Sequence, residues 1–569
     1  MTPWSEGRNT VNSFMVVMGG GAVLWAVACL LLIPGGGGLS GWLAGSKQSL
    51  AYAGAWGRFM ADGGSLSVMF KQAEWAPLVM AAACVVGGLS FAIGATVVIA
   101  AKGRPSLYGQ ARWARSADIG RMALRGQLGP ILGKAFGKYL VAEKPRHTLV
   151  AASTRSGKSA GIVIPTLLSY QGSMLVTDPK GELASLTGRA LRKLGPVRVI
   201  RFSDPDSPDA WNPMDAALLP EDAISLERHC ERIAAAFNPF QDTAGTEAHF
   251  QKTAYRNCAS LLLFLALEAR RNDRECHPRQ IFELLADFQL RTLGRADDTD
   301  TDGLALALAR VAATAEAHGY PERISQDMTV FAETPSRERG SHLSTLLTNL
   351  QLWRSAAVQG ATRACTFSWD DLRRQRQTVF IQYPASDAEA YGPLTALFFD
   401  QFFAWAVDTA PEEKEWPIQV IADEFASLPR MAMLDGFLEK GAGMGRTIMF
   451  VVQDLAGLWK RYKKDAADAL LTNVDFLVIF AQNNLETQRW LTGQVGQKSI
   501  WKATKNAKMF SDKGGGSKSE TGVDLVPASA WGDIPFGKHV VLVKGHKTRP
   551  VMAKTPLWFE DRRFKRMVG

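Results

Sequence analysis

At 569 residues with a formal net charge of +10, the chain is long enough for two or three domains, and its modest basic excess permits, without requiring, an anionic partner such as nucleic acid or a membrane surface. Its six cysteines (Cys29, Cys84, Cys230, Cys258, Cys276, Cys365) have no paired spacing, and Cys276-His277 has no partner cluster, which excludes a disulfide framework and a cysteine zinc site. The histidines show no metal-ligand spacing either, so Mg²⁺ is the one metal expected.

The first elements in chain order are apolar. No charged residue occurs between Arg8 and Lys47, and residues 11–33 are apolar over the ~20 residues needed to cross a bilayer. A second uncharged run gives a span at 77–101, with 34–76 as a sparsely charged periplasmic loop. A secretory signal peptide is the alternative for the first segment, but its stretch is long and no A-x-A-like site closes it. Lys102, Arg104, Arg112, Arg115, Arg121 and Arg125 crowd the region after the second span, which by the positive-inside rule leaves the C-terminal part in the cytoplasm. Residues 1–102 are therefore expected to be a two-helix transmembrane anchor in membrane lipid, and 103–144 an Arg-bearing connector.

From Ala152 to Ser159 the chain reads A-S-T-R-S-G-K-S, one position away from the phosphate-binding pattern G-x-x-x-x-G-K-[ST]. A short apolar strand precedes it, and a helix that Pro165 should shorten or kink follows it. In such a loop Ser153, Thr154, Arg155, Ser156 and Gly157 aim backbone N–H groups at phosphate oxygens, and the helix N-terminus adds partial positive charge. Lys158 reaches the β- and γ-phosphates of ATP, and Ser159 is a ligand of Mg²⁺. Arg155 is open to a phosphate or a neighbouring subunit. Taken alone, the loop could also be a chance match or a non-catalytic turn.

Strand signals continue at 172–178 and 197–202, resume at 378–382, and recur at 418–422, 447–452, 476–480 and 539–543. The run at 418–422 leads directly into Asp423 and Glu424, which places two carboxylates at the C-terminal edge of a parallel sheet, where ligands bind. Asp423 is expected to hold Mg²⁺ through water and Glu424 to polarise the attacking water. Asp178 also follows an apolar strand; it either positions Mg²⁺ or water, or belongs to a turn, Asp178-Pro-Lys-Gly. Between the two groups of strands, 221–371 carries 3.6-residue apolar spacing with almost no strand signal. The domains expected are a nucleotide-binding domain in two parts, 103–220 and 372–569, and an all-helical insert at 221–371. Residues 498–520, rich in lysine around Trp501 with three successive glycines, read as a solvated connector or as a basic loop touching nucleic acid or protein.

Taken together, these motifs resemble the type IV secretion system coupling proteins, the TraG-like family of membrane-anchored RecA-like ATPases. The resemblance is carried by Gly109-Gln-Ala-Arg-Trp-Ala114, Thr154-Arg-Ser-Gly-Lys-Ser159 with Ile164-Pro-Thr-Leu-Leu168, Asp178-Pro-Lys-Gly-Glu-Leu183, Trp211-Asn-Pro213, Ala422-Asp-Glu-Phe425, Gly445-Arg446 leading to Gln453-Asp-Leu455, and Leu542-Val-Lys-Gly-His546. It implies an α/β fold: a RecA-like P-loop domain with an inserted all-helical domain that helps select substrates, behind a membrane anchor. It also implies a homohexamer at the bacterial inner membrane, docked on type IV secretion channel components. The substrates delivered with ATP would be a relaxase on single-stranded DNA, or effector proteins. By the same resemblance Gln453 senses the γ-phosphate. Arg446 is the candidate arginine finger, although it reads equally as an arginine on a turn before a strand. Two rivals stand beside this reading. One is a DNA pump of the FtsK/HerA kind, and the other a membrane receptor that binds cargo without hydrolysis.

Overall fold

The computed structural model describes residues 107–127, 129–238, 245–285, 303–505 and 516–568, all within the unit Leu107–Gly569. The spans expected at 11–33 and 77–101, and the loop at 34–76, lie outside the described residues. Among the described residues no helix is long and apolar enough to cross a membrane.

Among the described residues there are thirteen strands: β1 (Ile131–Ala135), β2 (Lys138–Val141), β3 (Thr148–Ala151), β4 (Ser173–Thr177), β5 (Val197–Arg201), β6 (Thr378–Gln382), β7 (Ile418–Ala422), β8 (Arg446–Val452), β9 (Phe476–Ile479), β10 (Gln497–Lys505), β11 (Gly516–Asp524), β12 (Lys538–Val543) and β13 (Val551–Lys554). Eleven of them form one sheet in the order β2-β1-β13-β12-β9-β3-β8-β7-β4-β6-β5. The stretch from β9 to β5 is parallel, and β12, β13, β1 and β2 extend it antiparallel. The central strands β3, β4, β7, β8 and β9 are buried at every residue, because helices cover both faces and each face must be apolar. Side chains alternate between two cores. Leu149 and Ala151 point into the larger one, and Val150 and Ala152 into the other with Ile162, Val163 and Leu167.

After β3 the chain passes through the phosphate-loop sequence into a π-helical turn, Ser159–Val163, and then α1 (Ile164–Ser169). Pro165 has no N–H to donate, and its ring crowds the carbonyl four residues back. The expected distortion is thus a widened turn running into a short helix. The next helix, α2 (Glu182–Leu191), follows β4.

Between β5 and β6 the long elements among the described residues are helices, joined by turns and irregular segments. The helices include α3 (Ala223–Phe237), α4 (Gly245–Asn272), α5 (Gly303–Ala317), α6 (Glu322–Glu333) and α7 (Ser336–Leu350). In α3, Asp222 caps the N-terminus by accepting from Ser225 N at 2.8 Å, and Leu226, Cys230, Ile233, Ala234 and Phe237 line one buried face. After β6, α8 (Ala388–Asp408) buries Phe398, Phe399, Phe402 and Phe403, and Trp211 meets Phe398 edge-on at 5.0 Å.

Two segments differ from the sequence expectation. Within the connector at 103–144 lie β1 and β2, and the described parts of the expected connector, 498–505 and 516–520, are paired strands, Gln497 with Asp524 through Lys505 with Gly516. Gly109 is part of the reason the hairpin is seated. Its φ is +142°, and a Cβ there would stand 2.4 Å from Gln497 O, so only glycine allows Ala111 N to reach that carbonyl at 3.1 Å.

Four histidines are buried neutral within this framework: His147, His229, His277 and His539, each pushed down to about 4, chiefly by desolvation. Unfolded, each titrates near 6.5, so between pH 4 and 6.5 the unfolded chain binds more protons. Their contribution is complete above pH 6.5 and lost as the pH falls toward 4. Asp400, pushed up to about 6 by burial, and Asp178, which burial also raises, work in the opposite direction, but they are two groups against four. The melting temperature is expected to fall progressively below pH 6.5; a flat profile from pH 7.5 to 5 would contradict this ledger.

Candidate nucleotide-binding site

Strand order decides which loops meet. β8 lies between β3 and β7, with Ala151 opposite Val452 and Ala422 opposite Phe450. The phosphate-loop sequence after β3, Gln453 after β8 and Asp423-Glu424 after β7 therefore leave three successive strands at the same C-terminal edge. Asp178, after β4, follows on the next strand.

Ala152, which stands where the sequence pattern has glycine, is fully buried and donates its N–H to Val452 O at 3.0 Å. It still runs alongside β8, and its φ is not positive, so alanine fits. The turn follows it. Ser156 N donates to Ser153 O at 3.2 Å, Arg155 has φ 64° and Gly157 φ 89°. A left-handed backbone at Arg155 costs of order 1 kcal/mol, strain of the kind held at ligand-binding turns. Thr154 and Arg155 are exposed, while Ser153 and Ser156 to Ser159 are half-buried. The Ser156 hydroxyl oxygen is buried with no hydrogen-bond partner among the described residues. An orphaned hydroxyl in a turn of this kind suits a ligand rich in oxygen.

Lys158 Nζ lies 3.4 Å from Asp423 Oδ1, with the two side chains 15% and 14% exposed. The structure thus joins residues 265 positions apart in the sequence. Asp423 is held from both sides: Thr177 Oγ1 donates to its carbonyl at 2.9 Å, and its Oδ1 accepts the Glu424 N–H at 3.1 Å. Glu424 has φ 56°, and Ser427 Oγ donates to its carbonyl at 2.8 Å. Burial pushes the Tyr383 phenol beside these carboxylates up to about 12, so it remains protonated. Gln453 is exposed at the end of β8. A cation, two carboxylates, a serine at the start of a helix and an amide share one edge. This donor set fits Mg²⁺ and a triphosphate.

Asp178 and Arg446, each open to two readings in the sequence, take the structural one and not the site role. Both oxygens of Asp178 are taken, Oδ1 by Leu183 N at 3.1 Å and Oδ2 by Ala184 N at 2.9 Å and by Gln382 Nε2 at 3.0 Å. It orders the turn into α2, and burial, the largest influence on it, raises its pKa. Arg446 is fully buried at the start of β8, the far end of the strand from Gln453. Its guanidinium donates to Ala406 O at 2.6 Å and Thr409 O at 2.7 Å, pairs with Glu415 at 3.5 Å, and lies 4.6 Å above the Trp405 ring. A finger must reach out of its own subunit, and this group is committed to the interior. Arg446→Ala is expected to destabilise the fold by about 3 kcal/mol, with hydrolysis per folded molecule retained; loss of hydrolysis at unchanged melting temperature would reinstate the finger.

Sequence reasoning missed the C-terminal wall of the site. A Cβ on Gly157 would stand 3.3 Å from Leu557 Cδ2 and 3.5 Å from Phe536 Cε2, and Phe536 is 67% exposed. Trp558 N donates to Ala160 O at 3.0 Å, and a Cβ on Gly161 would collide with Thr555 Cγ2 at 2.0 Å. The segments flanking β12 and β13 therefore pack on the loop and its helix. Nothing local in Ile534-Pro-Phe-Gly537 marks it as part of a site.

The family described as type IV secretory system conjugative DNA transfer matches residues 112–569. The protein VirD4 of Agrobacterium fabrum is 28% identical over 485 residues, which cover 81% of this chain and 67% of that protein. The conjugal transfer protein TraG of Escherichia coli is 26% identical over 536 residues, 84% of this chain and 80% of that protein. Among solved structures, the bacterial conjugative coupling protein TrwBdeltaN70 matches with a TM-score of 0.58 at 17% identity, covering 79% of this chain and 94% of that one. TrwB in complex with ADP and Mg²⁺ matches at 0.54 and 17% identity, covering 80% and 96%. At that identity the structural likeness speaks to the fold alone, an α/β nucleotide-binding fold on a large mixed sheet. With the family match spanning most of the chain, this protein belongs to the type IV secretory system conjugative DNA transfer family, as a coupling protein of the TraG and VirD4 kind.

Proposed function

We propose that the chain hydrolyses ATP and uses it to deliver substrates to a type IV secretion channel. The observation that carries this reading is the 3.4 Å approach of Lys158 to Asp423 across β3, β8 and β7. Without phosphate the two charges satisfy each other. With nucleotide, Lys158 turns to the β- and γ-phosphates, which frees Asp423, with Ser159, to hold Mg²⁺. Bound Mg²⁺ supplies charge neutralisation on the phosphate oxygens. Glu424 takes a proton from the attacking water, Gln453 contacts the γ-phosphate from the neighbouring strand end, and the N–H groups of 153–159 bind the phosphate oxygens.

The remaining parts belong to the same proposal. Two spans at 11–33 and 77–101 fix the chain in the bacterial inner membrane, six copies form a ring against the channel components, and the helical insert selects a relaxase on single-stranded DNA or effector proteins. With Arg446 committed to the interior, the cation each site takes from its neighbour is a different residue.

Phe536 is proposed as the platform on which the base stacks. Phe536→Ala is expected to raise KM for ATP about fivefold, the equivalent of about 1 kcal/mol of stacking, with kcat within twofold; an unchanged KM would remove Phe536 from the site. The proposed activity is tested by ATP hydrolysis of the purified full chain with and without single-stranded DNA at two salt concentrations. Salt-sensitive stimulation supports a DNA-handling motor, since phosphate-backbone binding weakens with salt. Hydrolysis indifferent to DNA assigns protein cargo, and no hydrolysis in either condition overturns the proposal.

A further inference from the structure

We infer that His249, Glu338 and His342 form a binding site for a divalent transition metal, Zn²⁺ by its chemistry, within the helical insert. His249 lies near the start of α4, and Glu338 and His342 are one turn apart on α7. One potential ligand atom from each of the three lies within 4.8 Å of the others. Two imidazoles and a carboxylate are the donor set of three-ligand zinc sites, with the fourth position open to water or a substrate group. Glu338-x-x-x-His342 places two donors on one helix face, and the third comes from a helix 89 positions upstream.

The environment of His342 separates this cluster from an ordinary packed histidine. Its residue is 3% exposed, and its Nδ1 is buried with no hydrogen-bond partner among the described residues. Its Nε2 is 3.4 Å from Glu338 Oε1, a long contact for a hydrogen bond. A core histidine placed for packing alone satisfies both nitrogens, as His539 does with Thr555 Oγ1 and Leu132 O at 2.8 Å each. The His342 ring is braced by Phe250 at 5.1 Å and Phe331 at 6.4 Å, and the His249 ring meets it edge-on at 5.6 Å. Tetrahedral ligation at about 2.1 Å from the metal sets donors ~3.4 Å apart. The span of up to 4.8 Å therefore closes by about 1.4 Å, within reach of the exposed side chains of His249 and Glu338. The nearby cation Arg256 is paired with Asp327 at 3.4 Å, which tempers its repulsion of a metal.

Metal at this point ties the beginning of the long helix α4 to α7, so loading fixes the relative position of two helices of the insert. Expected for the purified full chain, free of nucleotide and Mg²⁺, is one Zn²⁺ per chain by equilibrium dialysis. Co²⁺ in its place should give the visible absorption of a tetrahedral site, and loading should raise the melting temperature by several degrees. His249→Ala and Glu338→Gln, both at exposed side chains, are expected to weaken Zn²⁺ at least tenfold and abolish the Co²⁺ spectrum while leaving the metal-free melting temperature unchanged. Asp423→Asn is expected to change neither, which separates this site from the nucleotide site. No Zn²⁺ bound by the wild-type chain, or undiminished binding in His249→Ala, would overturn the inference.

Discussion

Lys158→Ala is expected to lower ATP hydrolysis by at least about a hundredfold, the loss typical of removing one donor aimed at transition-state charge, while the chain remains folded. The Lys158 cation is the side chain of the loop that meets the carboxylate edge, and its partner in the unliganded state is Asp423 at 3.4 Å. Removing it leaves Asp423 facing the site without a counter-charge. Asp423 keeps the Thr177 hydroxyl on its carbonyl and the Glu424 N–H on its carboxylate, so the structural cost is about 1 kcal/mol. Melting temperature, nucleotide binding and hydrolysis measured together check this. A chain that no longer folds would show that Lys158 supports the core and was misread as a ligand group.

Glu424→Gln is expected to separate binding from chemistry. The amide has the size and shape of the carboxylate and accepts the same left-handed backbone at φ 56°, while the Ser427 hydroxyl continues to hold the residue through its carbonyl. What disappears is the ability to take a proton from water, worth about 10²–10⁴ in rate. ATP affinity should stay within twofold, stability within about 0.5 kcal/mol, and hydrolysis should fall to background. Substantial hydrolysis in the variant would move the base elsewhere on the sheet edge.

The contrast with Asp178 shows where sequence reading succeeds and where it stops. Asp178, Asp423 and Glu424 each follow an apolar strand, and only the fold reveals that α2 consumes both oxygens of Asp178 while Lys158 meets Asp423. The central parallel strands were legible because burial on both faces demands continuous apolar runs, as at Ile418–Ala422. By contrast, β1 and β2 include Lys134, Lys138 and Tyr139 at one end of the sheet, a mixed composition that reads as connector. The hairpin of β10 and β11 stands outside the main sheet with exposed Lys502 and Trp501, so no apolar alternation announces it. Arg446 looked like a surface group because arginine seldom lies in a core. Its cage of Ala406 and Thr409 carbonyls, Glu415 and Trp405 is assembled from α8 and the segment after it, 31 to 41 residues upstream, beyond the range of any local pattern. The histidine and glutamate cluster between α4 and α7 escaped for the same reason.

The measurement that tests the central claim most directly is substrate transfer in cells whose only copy of this protein carries Glu424→Gln, expressed at the wild-type level. A coupling motor driven by ATP predicts transfer at the background of a deletion strain, with the variant still bound to nucleotide. Transfer at the wild-type frequency would contradict it and leave a receptor that recruits cargo without hydrolysis.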